Sequence, residues 1–181
     1  MRVARRIVTL LIVVVAALVV LGLALRIYMG REVQDQLTAG EAINITDLRS
    51  PLVQPSFLAC PPHYCSAAEA VASPLFNLQW DRLRQYWIEV VAGQPRVVSL
   101  IIRTNEDPAR LVYIQHSPVF RFPDIITVEF VPLGPNRSSV AIFSRSRYGK
   151  YDLAKNRKRV EKWLVLLTSV AQPATQRPGG A

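Results

Sequence analysis

The segment from Ile7 to Leu25 runs 19 residues without a charge, and no other stretch limits the fold of the chain as strongly. At about 1.5 Å of rise per residue, a helix of that length reaches roughly 28 Å, close to the hydrocarbon thickness of a bilayer. Fourteen of its residues are Ile, Leu or Val. Insertion is therefore favoured by about 4 to 8 kcal/mol on the biological scale, before small terms for Thr9, Gly22 and three alanines. A helix apolar on every side needs a core large enough to bury it, and a chain of 181 residues has none to spare. The segment reads as a membrane anchor. The competing reading is a cleaved signal peptide, for which Gly22-Leu23-Ala24 is a poor small-x-small cleavage site. Signal h-regions run only about 7 to 15 residues, so retention is expected. Arg2, Arg5 and Arg6 precede the span, which puts the amino terminus in the cytoplasm and exports the rest, although Arg26 and Arg31 reduce the asymmetry.

Four parts follow from composition: an anchor over 1–26, a juxtamembrane spacer over 27–57, a soluble domain over 58–171 and a mobile tail over 172–181. The spacer holds Gly30, Gly40, Pro51 and Pro55 with no sustained period of 3.6 or 2, although its first part, through Leu37, can continue the membrane helix. Asn44-Ile45-Thr46 matches a glycosylation triplet, a motif short enough to be common by chance. The tail, QPATQRPGGA, is rich in Pro and Gly.

Within the domain, Asn77 is a good N-cap for a helix carrying Trp80, Leu83, Trp87, Val90 and Val91 on one stripe and ending at Gly93. Four strand-like runs come next, Val97–Thr104, Ala109–His116, Ile125–Val131 and Ser138–Ser146. Their short links, Asn105-Glu106-Asp107-Pro108 and Gly134-Pro135-Asn136 among them, suit antiparallel neighbours. A last helix, capped by Asp152, gathers Leu153, Val160, Trp163, Leu164, Leu167 and Ala171 on one face. The expected architecture is α+β, a four-stranded antiparallel sheet with two helices on one face, preceded by a single N-terminal transmembrane helix.

Three blocks now carry specific text: Arg121-Phe122-Pro123-Asp124, then Ser144-Arg145-Ser146-Arg147-Tyr148-Gly149, then Asp152-Leu153 with Asn156-Arg157-Lys158-Arg159-Val160-Glu161. Upstream lie Cys60-Pro61-Pro62-His63-Tyr64-Cys65 and Ser73-Pro74-Leu75-Phe76. In order and spacing these residues resemble the uncharacterised bacterial family called domain of unknown function 1499, over about residues 58 to 168. The resemblance implies a bacterial membrane-associated or exported domain with no established activity, so no catalytic role carries over. The chain departs from the family where Ala154 stands at a position often held by glycine, which loosens the need for close backbone approach there. It departs again where His116-Ser117-Pro118 replaces a more basic run.

Charge is unevenly placed. The chain carries 22 Lys and Arg against 13 Asp and Glu, a net of +9. From Arg145 to Lys162 there are eight basic residues against Asp152 and Glu161, while residues 27–144 hold nine basic and eleven acidic. Basic residues near a helix amino terminus oppose its dipole, so something else must favour them. A helical wheel sets Asn156 and Arg157 beside Val160 on the edges of the apolar face, with Arg159 at the boundary and Lys155, Lys158 and Lys162 pointing away. Arg145, Arg147, Asn156, Arg157 and Arg159 are thus the candidate ligand-binding residues for an anionic group. The plainer reading pairs Arg157 with Asp124 or Glu161 and spends Asn156 on the turn. The outward lysines read as a solvated face.

In an exported domain Cys60 and Cys65 would close a six-residue loop as a disulfide. A redox pair ordinarily uses the closer Cys-x-x-Cys spacing. A metal held by Cys60, His63 and Cys65 lacks a second ligand cluster, so no metal and no cofactor is expected. No phosphate loop, nucleophile elbow or zinc-protease motif is present in the sequence. The leading expectation is a non-enzymatic membrane-tethered envelope protein, its domain periplasmic, binding an anionic ligand, a lipid surface or a protein partner through the basic strand-turn-helix. The alternative is an envelope hydrolase using His116 or a carboxylate pair such as Asp124 and Asp152. Nucleic acid is not an expected partner, because the genome lies across the membrane and no aromatic stacking module accompanies the basic block.

Overall fold

The structure, a computed structural model, describes residues 2–36, 43–52, 55–100 and 109–171. The Asn105–Pro108 turn, the end of the first expected strand at Thr104 and the expected mobile tail lie outside the described residues. Helix α1 (Arg2–Gln36) carries the apolar run. Its Arg5–Leu25 portion has a mean hydropathy of 3.2 and is not buried against the rest of the chain. That is long and apolar enough to cross a membrane, and it fits an anchor or a signal sequence.

The folded unit is α+β, but its sheet is larger than expected and mixed. It has seven strands rather than four: β1 (Ser56–Cys60), β2 (Val71–Ala72), β3 (Leu75–Phe76), β4 (Val97–Leu100), β5 (Arg110–His116), β6 (Pro123–Gly134) and β7 (Arg137–Ser146). The spatial order is β2-β1-β7-β6-β5-β4, with β3 pairing β7 off this path. The antiparallel meander β4 to β7 is the one expected from the turn signals. The additions lie beyond it. β1 runs antiparallel along the upper half of β7, and β2 lies parallel to β1. Two-residue strands leave no period in a sequence, and β1 follows Pro55 too closely to separate from the spacer by composition alone.

Helices α2 (Trp80–Ala92) and α3 (Lys155–Ala171) cover one face of the sheet. α2 starts three residues after Asn77, and Gln79 at its N-cap makes no side-chain capping bond. The carbonyl of Leu78 accepts the Ser138 hydroxyl at 2.7 Å, which holds this stretch on β7 before the helix can begin. Leu83, Trp87, Val90 and Val91 are buried as expected. Trp87 meets Trp163 of α3 edge to face at 5.7 Å and Phe130 of β6 at 6.4 Å, the geometry aromatic pairs prefer. On α3 the apolar stripe from Val160 to Ala171 is buried, but Leu153 is 80% exposed. Leu153 precedes the helix with φ 54, so the helical wheel does not apply to it.

The strands alternate sides, as a pleat requires. Ile126, Val128, Phe130, Val140 and Ile142 face the helices, while Val131, Ala141 and Phe143 face a second core with Ile45, Leu52 and Leu58. That second face is covered by residues the composition assigns to a spacer. Buried Glu129 anchors them: its carboxylate accepts the Ile45 amide at 3.1 Å and the Tyr64 hydroxyl at 3.0 Å, and it pairs with Arg110 at 2.9 Å. Asn44, within the glycosylation triplet, accepts the Thr46 hydroxyl at 2.9 Å.

Cys60 and Cys65 form a disulfide with Cα atoms 6.1 Å apart. It ties the end of β1 to the loop that carries Tyr64. Closing six residues contributes about 2 kcal/mol through chain entropy. Urea unfolding of the full chain in non-ionic detergent should show a loss of that order for the Cys60→Ser/Cys65→Ser pair. Unchanged stability would mean that the bridge constrains nothing.

Candidate functional site

The site is assembled where α3 begins above the ends of β5, β6 and β7. Asp152 stops the preceding loop: its carboxylate accepts the Ala154 amide at 3.0 Å and the Asn156 amide at 2.9 Å. It thereby performs the capping expected of it. Leu153 and Ala154 have φ of 54 and 59, the left-handed region where a Cβ is disfavoured by about 1 to 2 kcal/mol. Ala154 therefore keeps the conformation that glycine suits, and the demand at this position is on backbone torsion rather than on close approach.

The wheel's inward pair is replaced by a different one. Asn156 is fully buried and Arg159 nearly so, whereas Arg157 is exposed. Asn156 donates to Asp152 at 2.7 Å, to the Ser146 hydroxyl at 3.1 Å and to the Pro55 carbonyl at 3.3 Å. Its side-chain oxygen accepts the Ser144 hydroxyl and an Arg159 N–H, both at 2.7 Å. Arg159 also donates to Ser144 at 2.7 Å and to Gln115, and it forms an ion pair with Asp124. With side-chain exposures of 8% and 14%, that pair is shielded from water. Four strands or strand ends and one helix thus meet in a single polar network, with most of the guanidinium donors satisfied.

The remaining expected residues are placed differently. Arg157 pairs with Glu161 at 3.2 Å on the surface and lies 5.3 Å over the Phe57 ring. Arg145 follows Ser144 on β7, so the pleat turns it toward the opposite side of the sheet. Arg147 lies past the strand end, 5.9 Å from the Tyr148 ring. Asp124 and Asp152, the carboxylate pair of the hydrolase alternative, hold Arg159 and the helix start.

Beside the network lies a cleft of about 360 Å³. Lys155, Lys158 and Lys162 rim it from α3, Arg96 from the loop after α2, and His116 and Ser117 from the end of β5, while Asp124 and Arg159 line it deeper. The three lysines are spaced i, i+3 and i+7, which places them along one helix edge. Sequence reading set them on a solvated face because the opposing wall, Gln94 to Arg96, lies some sixty positions away in the chain. Three bonds fasten that wall to the end of β5: the Arg96 Nε donates to the His116 carbonyl, the His116 amide to the Arg96 carbonyl and the Gln115 side-chain amide to the Pro95 carbonyl, each at 3.0 Å. Asp124 is the one acid among the described lining residues, and Arg159 already neutralises it. The cleft is left with an excess of positive charge.

Burial holds the His116 imidazole below its ordinary pKa of 6.5, and the nearby Arg121 charge adds to the effect. The folded protein binds this proton less readily than the unfolded chain, so the neutral imidazole's contribution is complete above the ordinary value and declines as pH falls through it. Melting of the full chain should drop as pH is lowered through the imidazole range, and His116→Gln should flatten that drop. Asp124→Ala strands the buried Arg159 charge and should lower stability by about 3 kcal/mol or more in urea unfolding. A loss no larger than that for an exposed ion pair would show that the network is not structural.

No curated protein and no solved structure matches the chain. A family model does, over residues 58–167, from the middle of β1 almost to the end of α3. It spans α2, most of α3, the Asp152 cap and every side chain of the network, so the chain belongs to the family described as protein of unknown function (DUF1499).

Proposed function

We propose that the protein is tethered to a bacterial cytoplasmic membrane by α1, with its amino terminus in the cytoplasm and its folded domain in the periplasm, and that the domain binds a phosphate- or carboxylate-bearing ligand in the cleft. The observation that carries this reading is the convergence of Arg96, Lys155, Lys158 and Lys162 on one concavity whose single acid among the described residues is already paired. The cleft's volume is at the small end of ligand pockets, a fit for an anionic head rather than a large molecule. Orientation is supported by Arg2, Arg5 and Arg6 ahead of the span, and export by the disulfide. In this reading Asn156 and Arg159 are positioning residues that hold α3 so that its lysines face the cleft, and Arg145, Arg147 and Arg157 lie outside it. The hydrolase alternative keeps His116 at the cleft wall, but the lining offers it no unpaired carboxylate.

An anion that binds only the folded state raises its stability by mass action. Inorganic phosphate or citrate should therefore raise the melting temperature of the full chain in non-ionic detergent at low salt by a few degrees. Lys155→Gln/Lys158→Gln/Lys162→Gln, three exposed changes, should remove the shift without lowering the baseline. Equal melting temperatures with and without both anions would overturn the assignment.

A further inference from the structure

A contiguous exposed apolar cluster of the folded unit sits on the loop between β5 and β6. Val119 and Phe120 are 64% and 65% exposed, Phe122 40%, and Tyr148, from the loop after β7, 44%. The cluster is continuous: ring centroids are 5.7 Å apart from Phe120 to Phe122 and 6.3 Å from Phe122 to Tyr148. Scattered exposed apolar residues are ordinary, but a contiguous aromatic patch marks a surface that something covers. The loop is also closed on itself by hydrogen bonds. The Ser117 amide donates to the Phe122 carbonyl and the Phe122 amide to the Ser117 hydroxyl, both at 2.9 Å, and Arg121 between them takes φ 56.

Two observations say what the covering material is. Val119, Phe120 and Phe122 share an apolar hollow of about 500 Å³ with Val19, Gly22, Leu23 and Leu25, the last turns of the segment long enough to cross a bilayer. Side chains at that level of α1 belong to the hydrocarbon edge of one leaflet. Cations flank the patch as well, with Arg121 inside the loop, Arg147 over the Tyr148 ring and Lys150 just beyond, the arrangement that meets lipid phosphates around an inserted aromatic tip.

We propose that Val119, Phe120 and Phe122, with Tyr148, form a second membrane attachment that dips into the interfacial region of the bilayer crossed by α1. The inference rests on the tether reading above and adds to it a fixed orientation of the domain. Because Ser117 and Pro118 line the basic cleft and lead directly into this loop, insertion would hold the cleft against the headgroup layer.

The test uses the full chain in phosphatidylcholine nanodiscs, with single cysteines at Phe120→Cys, Leu18→Cys and Asn136→Cys labelled with nitrobenzoxadiazole; the native cysteines are bonded to each other. Asn136 lies at the β6–β7 turn, at the far end of a ten-residue strand, about 30 Å from the loop. The expected result is blue-shifted emission at Phe120 and quenching by doxyl-labelled lipid close to that at Leu18 and several times that at Asn136. Quenching at Leu18 with none at Phe120 would overturn the loop attachment and leave the tether standing. A blue shift at Phe120 without lipid quenching would assign the patch to a protein contact, which also overturns it. Absence of quenching at Leu18 would remove the tether, and the attachment with it.

Discussion

A guanidinium group taken out of water has to be fully engaged, and the placement of Arg159 fixes much of the domain around it. Its partners come from β5, β6, β7 and its own helix, through Gln115, Asp124, Ser144 and Asn156. Asn156 extends the set to the chain entering β1 and to the Asp152 cap. A buried ion pair adds little stability compared with apolar residues of similar size, but breaking it is expensive, so its effect is to select one arrangement. Here the arrangement selected is the rotation of α3 about its axis and its height above the sheet. With Asn156 and Arg159 facing inward, Lys155, Lys158 and Lys162 are turned toward the loop that carries Arg96.

β6 uses the same device on both sides. Asp124 points toward the helices and binds Arg159, and five residues later Glu129 points toward the opposite face and binds Arg110, Tyr64 and the Ile45 amide. An odd separation along a strand changes face, so one strand anchors the first turn of α3 and the segment that covers the reverse of the sheet. The disulfide then fixes the loop carrying Tyr64. This explains how a stretch rich in turn formers becomes part of the packed unit: specific polar contacts hold it where apolar periodicity does not.

The long-range frame was legible in the sequence because it rests on periodicity. The apolar run, the meander from β4 to β7 and the stripes of α2 and α3 follow from spacing alone. β1, β2 and β3 did not, since they are short and owe their pairing to β7 and to each other. At the site, counting apolar residues failed on the first turns of α3, where the inward positions are polar. The helical wheel turned Asn156 inward but left Arg159 at the boundary and chose Arg157 in its place, because the pull of Ser144 and Asp124 beneath the helix has no trace in the spacing. The lysine spacing was visible as a helix edge, but its meaning depended on Arg96, which only the folded chain brings near. The family resemblance covered the residues that make the network and said nothing of their chemistry.

The domain as a whole presents two neighbouring features at one end, a basic cleft and an apolar loop, separated by Ser117 and Pro118. The cleft lies where α3 meets the end of β5 through the Arg159–Gln115 hydrogen bond, and it is there that the anion is proposed to bind. Amide chemical-shift mapping on the full chain in detergent micelles, with inorganic phosphate as titrant, tests this most directly. Shifts should concentrate at residues 94–96, 116–117 and 155–162, moving together along one binding curve. Shifts confined to Arg145, Arg147 and Arg157, or a spectrum that phosphate leaves unchanged, would contradict the assignment of the cleft.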